Sequence, residues 1–148
     1  MNEKVEVPKY SLGFAFSANG QELVVITKNR PAWQAGKWNG VGGSIEPGET
    51  PLQCQVREFC EETGVKTIES DWKPICQFSS EHFAVHTFCL FSDCIYDVKT
   101  LTDEQVSIIP VDLNQIRLFG QSNLPWLVGL CLDKDQPRLS VNATYQAA

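Results

Sequence analysis

The sequence predicts an α/β (α+β) fold, a mixed sandwich of strands and helices. Three observations carry that expectation. Short runs rich in β-branched and aromatic residues lie on both sides of one well-capped amphipathic segment at Thr50–Thr63. A second helical segment follows the last of those runs. The 148 residues, 43% hydrophobic, are enough to bury about two-thirds of the unfolded surface in one body. No internal repeat or linker divides the chain, so a single domain is expected over 1–148, with a core at about 8–133 and a loose polar tail over 134–148.

The elements follow in order. Tyr10 to Phe16 (YSLGFAF) reads as a strand, Asn19-Gly20 as a turn, and Leu23 to Thr27 (LVVIT) as a second strand that completes a hairpin. Asn29 to Lys37, rich in Pro, Gly and Trp, reads as a loop. In the next segment Thr50 suits an N-cap and Pro51 the first helical position, where its missing N–H costs nothing. Gly64 suits the left-handed residue just past the helix end. Leu52, Val56, Phe59 and Cys60 recur at helical spacing and predict its buried stripe. Ile75 to Ser79 and Phe83 to Phe91 read as strands, and Ser107 to Val111 as a shorter one ended by Pro110 and Asp112. Asn123 with Pro125 opens a final helix that runs to about Leu132.

Composition narrows the function. Eighteen acids against twelve bases give a formal charge of −6, which disfavours a sequence-independent grip on a polynucleotide. A phosphate substrate stays open, because bound metal ions would reverse the local charge. The six cysteines show no CxxC spacing, and no secretory signal is visible, so reduced thiols in a cytoplasmic protein are expected. No apolar run approaches the roughly twenty residues needed to span a bilayer.

The chemistry concentrates between Gly42 and Val65. Glu49, Glu58, Glu61 and Glu62 fall within this one stretch, the last three at i, i+3 and i+4 of the predicted helix. Carboxylates crowded in this way repel unless cations hold them together. All-oxygen ligands suit Mg²⁺ or Mn²⁺ better than zinc. Acid content alone would be equally well explained by a solvated helix face. The complete pattern is more specific. Gly43, Glu49, Arg57-Glu58, Glu61-Glu62 and Gly64, with apolar Phe59 and Val65, match G-x5-E-x7-R-E-U-x-E-E-x-G-U at every fixed place. Average residue usage gives that match by chance roughly once in ten million chains of this length. In this pattern the chain resembles the Nudix hydrolases, a family that cleaves nucleoside diphosphates linked to another moiety.

The resemblance implies the Nudix fold, a mixed β-sheet sandwiched between helices, and assigns roles residue by residue. Glu61 and Glu62 would be metal ligands, and Glu58 a ligand or the base that takes the proton from water. The Gly42 backbone carbonyl would be a further ligand, and Mg²⁺ the metal, with Mn²⁺ as a substitute. Arg57 would orient the carboxylates with Glu49 as its structural partner. Many members add a carboxylate from a later loop; Glu104 fills that place here, with Asp103 as the alternative.

Substrate choice is expected outside the box. Trp33 and Asn39, with Ser11 on the first strand, resemble the base-site pattern of MutT-like enzymes that hydrolyse oxidised purine nucleoside triphosphates. Those relatives carry adjacent acids before the last helix. Gly120-Gln121-Ser122-Asn123 stands there instead, so Asn123 is the candidate at that end, and an ordinary nucleoside triphosphate remains as open as an oxidised one. The expected reaction yields a monophosphate and pyrophosphate. A compound such as ADP-ribose and a non-catalytic nucleotide-binding module are the alternatives. The expected partner is a small nucleotide, with no polynucleotide or membrane, in a monomer or homodimer.

Overall fold

Strand β1 (Lys9–Phe16) and strand β2 (Glu22–Thr27) are joined by the turn that Asn19-Gly20 predicts, in a computed structural model that describes residues 6–133 and 141–146. The Gly20 N–H donates to the Ser17 carbonyl at 2.8 Å, closing the turn. The two strands meet in register only at Phe16 and Leu23, and then diverge. Two short strands fill the wedge between them, β3 (Trp38–Asn39) on β2 and β4 (Val41–Ser44) on β1. The chain changes partner at Gly40, where a Cβ would stand 2.5 Å from the Gly13 carbonyl oxygen. Any larger residue would push the two backbones apart. Neither short strand is legible in the sequence, because pairing rather than propensity makes them.

On its other edge β1 runs parallel to β6 (Ala84–Phe91), in unbroken register from Lys9–Ala84 to Phe16–Phe91. Strand β5 (Lys73–Ser79) lies antiparallel to β6, and β7 (Val106–Pro110) antiparallel to β2. Helix α1 (Pro51–Thr63) covers one face of the sheet; α2 (Leu113–Phe119) and α3 (Leu124–Leu132) cover the other. The period of two decides which residue serves which layer. Leu12, Phe14, Phe16, Leu23 and Val25 pack with Ile116, Leu124 and Leu127, whereas Ala15, Val24 and Ile26 pack with Phe59 of α1. Each of these side chains larger than Ala15 contributes about 1.5–3 kcal/mol by leaving water. A sheet covered on both faces explains why LVVIT is apolar throughout rather than alternating. The predicted sandwich of a mixed sheet between helices is what the chain forms.

Helix α1 begins and ends as predicted. Thr50 Oγ1 accepts from the Gln53 N–H, the Gln53 side chain returns the bond to the Thr50 N–H, and Gly64 closes the helix at φ +79°. Its buried line differs from the expected stripe. Phe59 is fully buried, but Cys54, Gln55 and Thr63 are the others, while Leu52, Val56 and Cys60 are only partly covered. Gln55 reaches the sheet, its Nε2 donating to the Val41 carbonyl at 3.0 Å.

Two further elements escape sequence reading. Helix α2 has seven residues, one of them buried, and starts on Asp112, which caps it by accepting from the Asn114 N–H. The tail read as loose carries β8 (Val141–Thr144), parallel to β5, so that reading is corrected for 141–144; residues 134–140 lie outside the described residues. Tyr145 then packs its ring on Phe78 at 5.8 Å. Non-local pairing of this kind leaves no local pattern. All six cysteines are free thiols, and no described helix is long and apolar enough to cross a membrane.

Candidate functional site

The middle turns of α1 lie against β4, and between them stands Arg57. Its Nε donates to Glu49 Oε2 at 2.7 Å and its Nη2 to Glu49 Oε1 at 2.9 Å, a two-pronged pair. Nη1 donates to Glu58 Oε1 at 2.9 Å and Glu61 Oε2 at 3.2 Å, while Nη2 also reaches the Ser44 carbonyl at 3.1 Å. One planar cation therefore orders three of the predicted carboxylates and ties the helix to β4. The Arg57 hydrogen bonds hold the Glu49 carboxyl down at about 2, from an ordinary 4.5, against the opposing effect of burial.

The inner carboxylates behave in the opposite way. Glu58 packs across Gly43 so closely that a Cβ there would stand 2.5 Å from its carboxylate; glycine is the residue that leaves the space. Burial raises the Glu58 carboxyl, although Arg57 opposes it. Glu62 lies deeper, and its Oε2 is buried without any hydrogen-bond partner. Burial, with the nearby charges of Glu58 and Glu104, pushes its carboxyl up to about 8. Glu104 arrives from the loop before β7 and is itself buried, with Oε2 accepting from the Asn29 N–H at 2.8 Å and Oε1 from Lys28 Nζ at 3.2 Å. Asp103 points outward onto Arg30, at 2.9 Å, and is 59% exposed. Of the two loop acids, Glu104 is the one brought to the cluster.

A buried carboxylate oxygen with no donor needs a proton or a cation. The remaining donors are oxygens too. The ladder between β1 and β4, counted from the Ile45 N–H to Lys9 carbonyl bond at 2.9 Å, puts Gly42 at a position whose carbonyl turns away from β1. By kind, Glu58, Glu62, Glu104 and the Gly42 carbonyl fit a hard divalent cation, with the exposed Glu61 at the rim. They are not yet converged: among the described residues no three His, Cys, Asp or Glu side chains stand close enough to hold a metal as they are. Arg57 engages Glu58 and Glu61, and Lys28 engages Glu104.

This arrangement makes metal-free stability depend on pH. Glu62 has a folded value of about 8 against 4.5 in the ordinary state. Its protonated form favours folding, so that contribution is complete below about 4.5 and is lost as pH rises through about 8. In EDTA, thermal melts should show Tm falling across that window, and Glu62→Gln should flatten the fall. Added Mg²⁺ replaces the proton, so its Tm gain should grow with pH. A gain independent of pH would contradict the assignment.

The predicted substrate residues are more dispersed. Asn39 lies in β3, partly buried, with its Oδ1 accepting from the Gly40 N–H at 2.9 Å. Trp33 sits on a single 3₁₀ turn (Ala32–Gln34) and is 67% exposed, free to cover a ligand but not placed by packing. Ser11 is buried, and its hydroxyl donates to Cys54 Sγ at 3.1 Å, under α1. Asn123 reaches Tyr145, 3.4 Å from its hydroxyl. Sequence reading missed Gln121, which is buried with its Nε2 unpartnered and whose N–H donates to the Trp38 carbonyl at 3.0 Å. Trp38 in turn meets Phe119 at 5.2 Å between ring centroids. The stretch before α3 is thus joined to β3, a contact no local signal announces.

A family model described as the NUDIX domain matches residues 11–124. An oxidized purine nucleoside triphosphate hydrolase from Danio rerio is 43% identical over 42 residues, which is 28% of this chain and 27% of that protein's length. Among solved structures, MutT from Aliivibrio salmonicida and Vibrio cholerae is 20% identical with a TM-score of 0.68, over 84% of this chain and 97% of that one. A MutT protein from Bacillus halodurans is 18% identical with a TM-score of 0.67, over 95% and 91%. These structural likenesses concern the fold.

Proposed function

The chain belongs to the Nudix hydrolase family, and from that premise we propose that it is a Mg²⁺-dependent hydrolase of nucleoside triphosphates, oxidised purine nucleotides included, releasing monophosphate and pyrophosphate. The observation that carries the metal reading is the buried Glu62 oxygen without a donor, beside Glu58 and Glu104. A bound divalent cation supplies charge neutralisation to the phosphate chain and makes water a better nucleophile. Glu58, held across Gly43 and braced by Arg57, is the group to accept the proton from the attacking water. The new oxygen–phosphorus bond forms as the phosphoanhydride bond between the α- and β-phosphorus breaks, with positioning and electrostatics supplying most of the acceleration. Arg57 and Glu49 stand outside the reacting atoms and set the carboxylates' geometry.

Support for the nucleotide class is coarser. The 42-residue likeness to the Danio rerio enzyme favours a purine nucleoside triphosphate. Asn39 and Trp33 on one side, and the stretch after α2 tethered to Trp38 on the other, offer amide and aromatic groups suited to a base.

A panel of ordinary and oxidised nucleoside triphosphates and nucleotide sugars, assayed in Mg²⁺ and in EDTA, decides between readings. The expected result is Mg²⁺-dependent pyrophosphate release from a purine triphosphate. Turnover confined to a compound such as ADP-ribose would replace the substrate reading. Equal turnover in EDTA would overturn the metal mechanism.

A further inference from the structure

Lys28 lies just past the end of β2, well outside the carboxylate-rich segment, and its ammonium pairs with Glu104 at 3.2 Å. The side chains of Lys28 and Glu104 are only 20% and 9% exposed, so their pair is shielded from water on most sides. Both backbones are fixed. Lys28 exchanges hydrogen bonds with the 36–37 turn, donating to the Lys37 carbonyl at 2.9 Å and accepting from the Gly36 N–H at 2.7 Å. The Thr27 N–H donates to the Gln105 carbonyl at 2.9 Å, which anchors the end of β2 to the loop that carries Glu104.

The two oxygens of Glu104 are held differently. Oε2 accepts from a backbone N–H, that of Asn29, which cannot move away. Oε1 accepts from a lysine ammonium on a four-carbon stem, which can. Arg57, the other cation among these carboxylates, is committed to Glu49, Glu58 and Glu61. Lys28 is therefore the cation paired with Glu104, and the charges of both act on the buried Glu62.

We propose that Lys28 is a placeholder cation: it holds Glu104 in the carboxylate cluster while the protein is metal-free, and gives up Oε1 of Glu104 to the incoming divalent ion. Lys28 is in this sense a positioning residue that competes with the metal. The inference rests on the metal reading given under "Proposed function" and adds a competitor to it. A lysine suits this use because it is a point charge with rotatable bonds, whereas an arginine fork at the same place would grip both carboxylate oxygens and release them less readily.

The test needs no nucleotide. Mn²⁺ is titrated into metal-depleted wild type, Lys28→Met and Lys28→Arg, with free Mn²⁺ followed by its electron paramagnetic resonance signal and metal-free Tm recorded beside it. Removing the competing charge should tighten Mn²⁺ binding about ten-fold in Lys28→Met, as expected for a unit charge a few ångströms away and partly screened. The metal-free Tm of that variant should fall, because the buried Glu104 loses its counter-charge. Lys28→Arg should bind Mn²⁺ no more tightly than wild type. Should Lys28→Met not fold without metal, Lys28→Gln, which keeps a donor and removes the charge, carries the same expectation. Equal or weaker Mn²⁺ binding by the neutral variants, with wild type binding normally, would overturn the role of Lys28 and leave the metal site standing. No Mn²⁺ binding by any of the proteins would overturn the metal reading itself, and this inference with it.

Discussion

Glu62→Gln should lower kcat by at least about 100-fold under saturating Mg²⁺, within the range that a displaced acid–base or metal-ligating group commonly costs. The fold should survive. The carboxyl of Glu62 is pushed up to about 8, so at neutral pH the metal-free protein already holds it mostly in the uncharged form that an amide imitates. Its Oε2 has no donor to lose. Metal-free Tm near pH 8 should therefore match or exceed wild type, while turnover collapses. Glu58→Gln should lose turnover to a similar degree, with a small loss of stability, because Arg57 gives up one of its anionic partners. Kinetics on the substrate found in the panel, together with circular dichroism and thermal melts, measure both. Near-wild-type rates in both variants would remove these residues from the chemistry.

Arg57→Met should have the largest effect on stability, a loss of about 2–3 kcal/mol, together with most of the activity. An exposed ion pair is worth under about 1 kcal/mol, and breaking a fully buried one costs about 3–5 kcal/mol. Arg57 falls between, 24% exposed, against Glu49 at 13% and Glu58 at 15%. Its removal strands two poorly solvated carboxylates and cuts the tie to the Ser44 carbonyl on β4. Lysine should not rescue it, since one ammonium cannot reproduce the two-pronged bond to Glu49. The sign of the pH dependence follows from Glu49, held down at about 2 from 4.5. Its contribution is present above about 4.5 and lost as pH falls toward about 2, so the gap between wild type and Arg57→Met should narrow in acid. Urea unfolding at neutral and acidic pH would reveal it. A gap that is constant, or absent at neutral pH, would refute the bracing role.

Much of the catalytic half was legible because it is local. Thr50, Pro51 and Gly64 act within a few residues of themselves, and so they announce the bounds of α1. Helical spacing alone places Glu58, Glu61 and Glu62 near one another, and the Glu49–Arg57 pair spans only eight residues. The substrate half was less legible because it is assembled across the chain. Ser11 looked available in sequence, but the face of β1 it occupies is roofed by α1 and Cys54. Gln121 carried no signal, since only the contact between Trp38 and the stretch after α2 buries it.

The sequence by itself determined the bounds of α1 and the longer strands on either side of it, and with them the reaction family, because caps, period and the carboxylate spacing act over one or two helical turns. Only the tertiary structure decided which loop acid joins the cluster, which cation faces it, and which candidates stay open to a ligand. Those outcomes depend on burial and on charges brought together from residues 28, 43, 62 and 104, and desolvation is a property of the assembled site rather than of any segment.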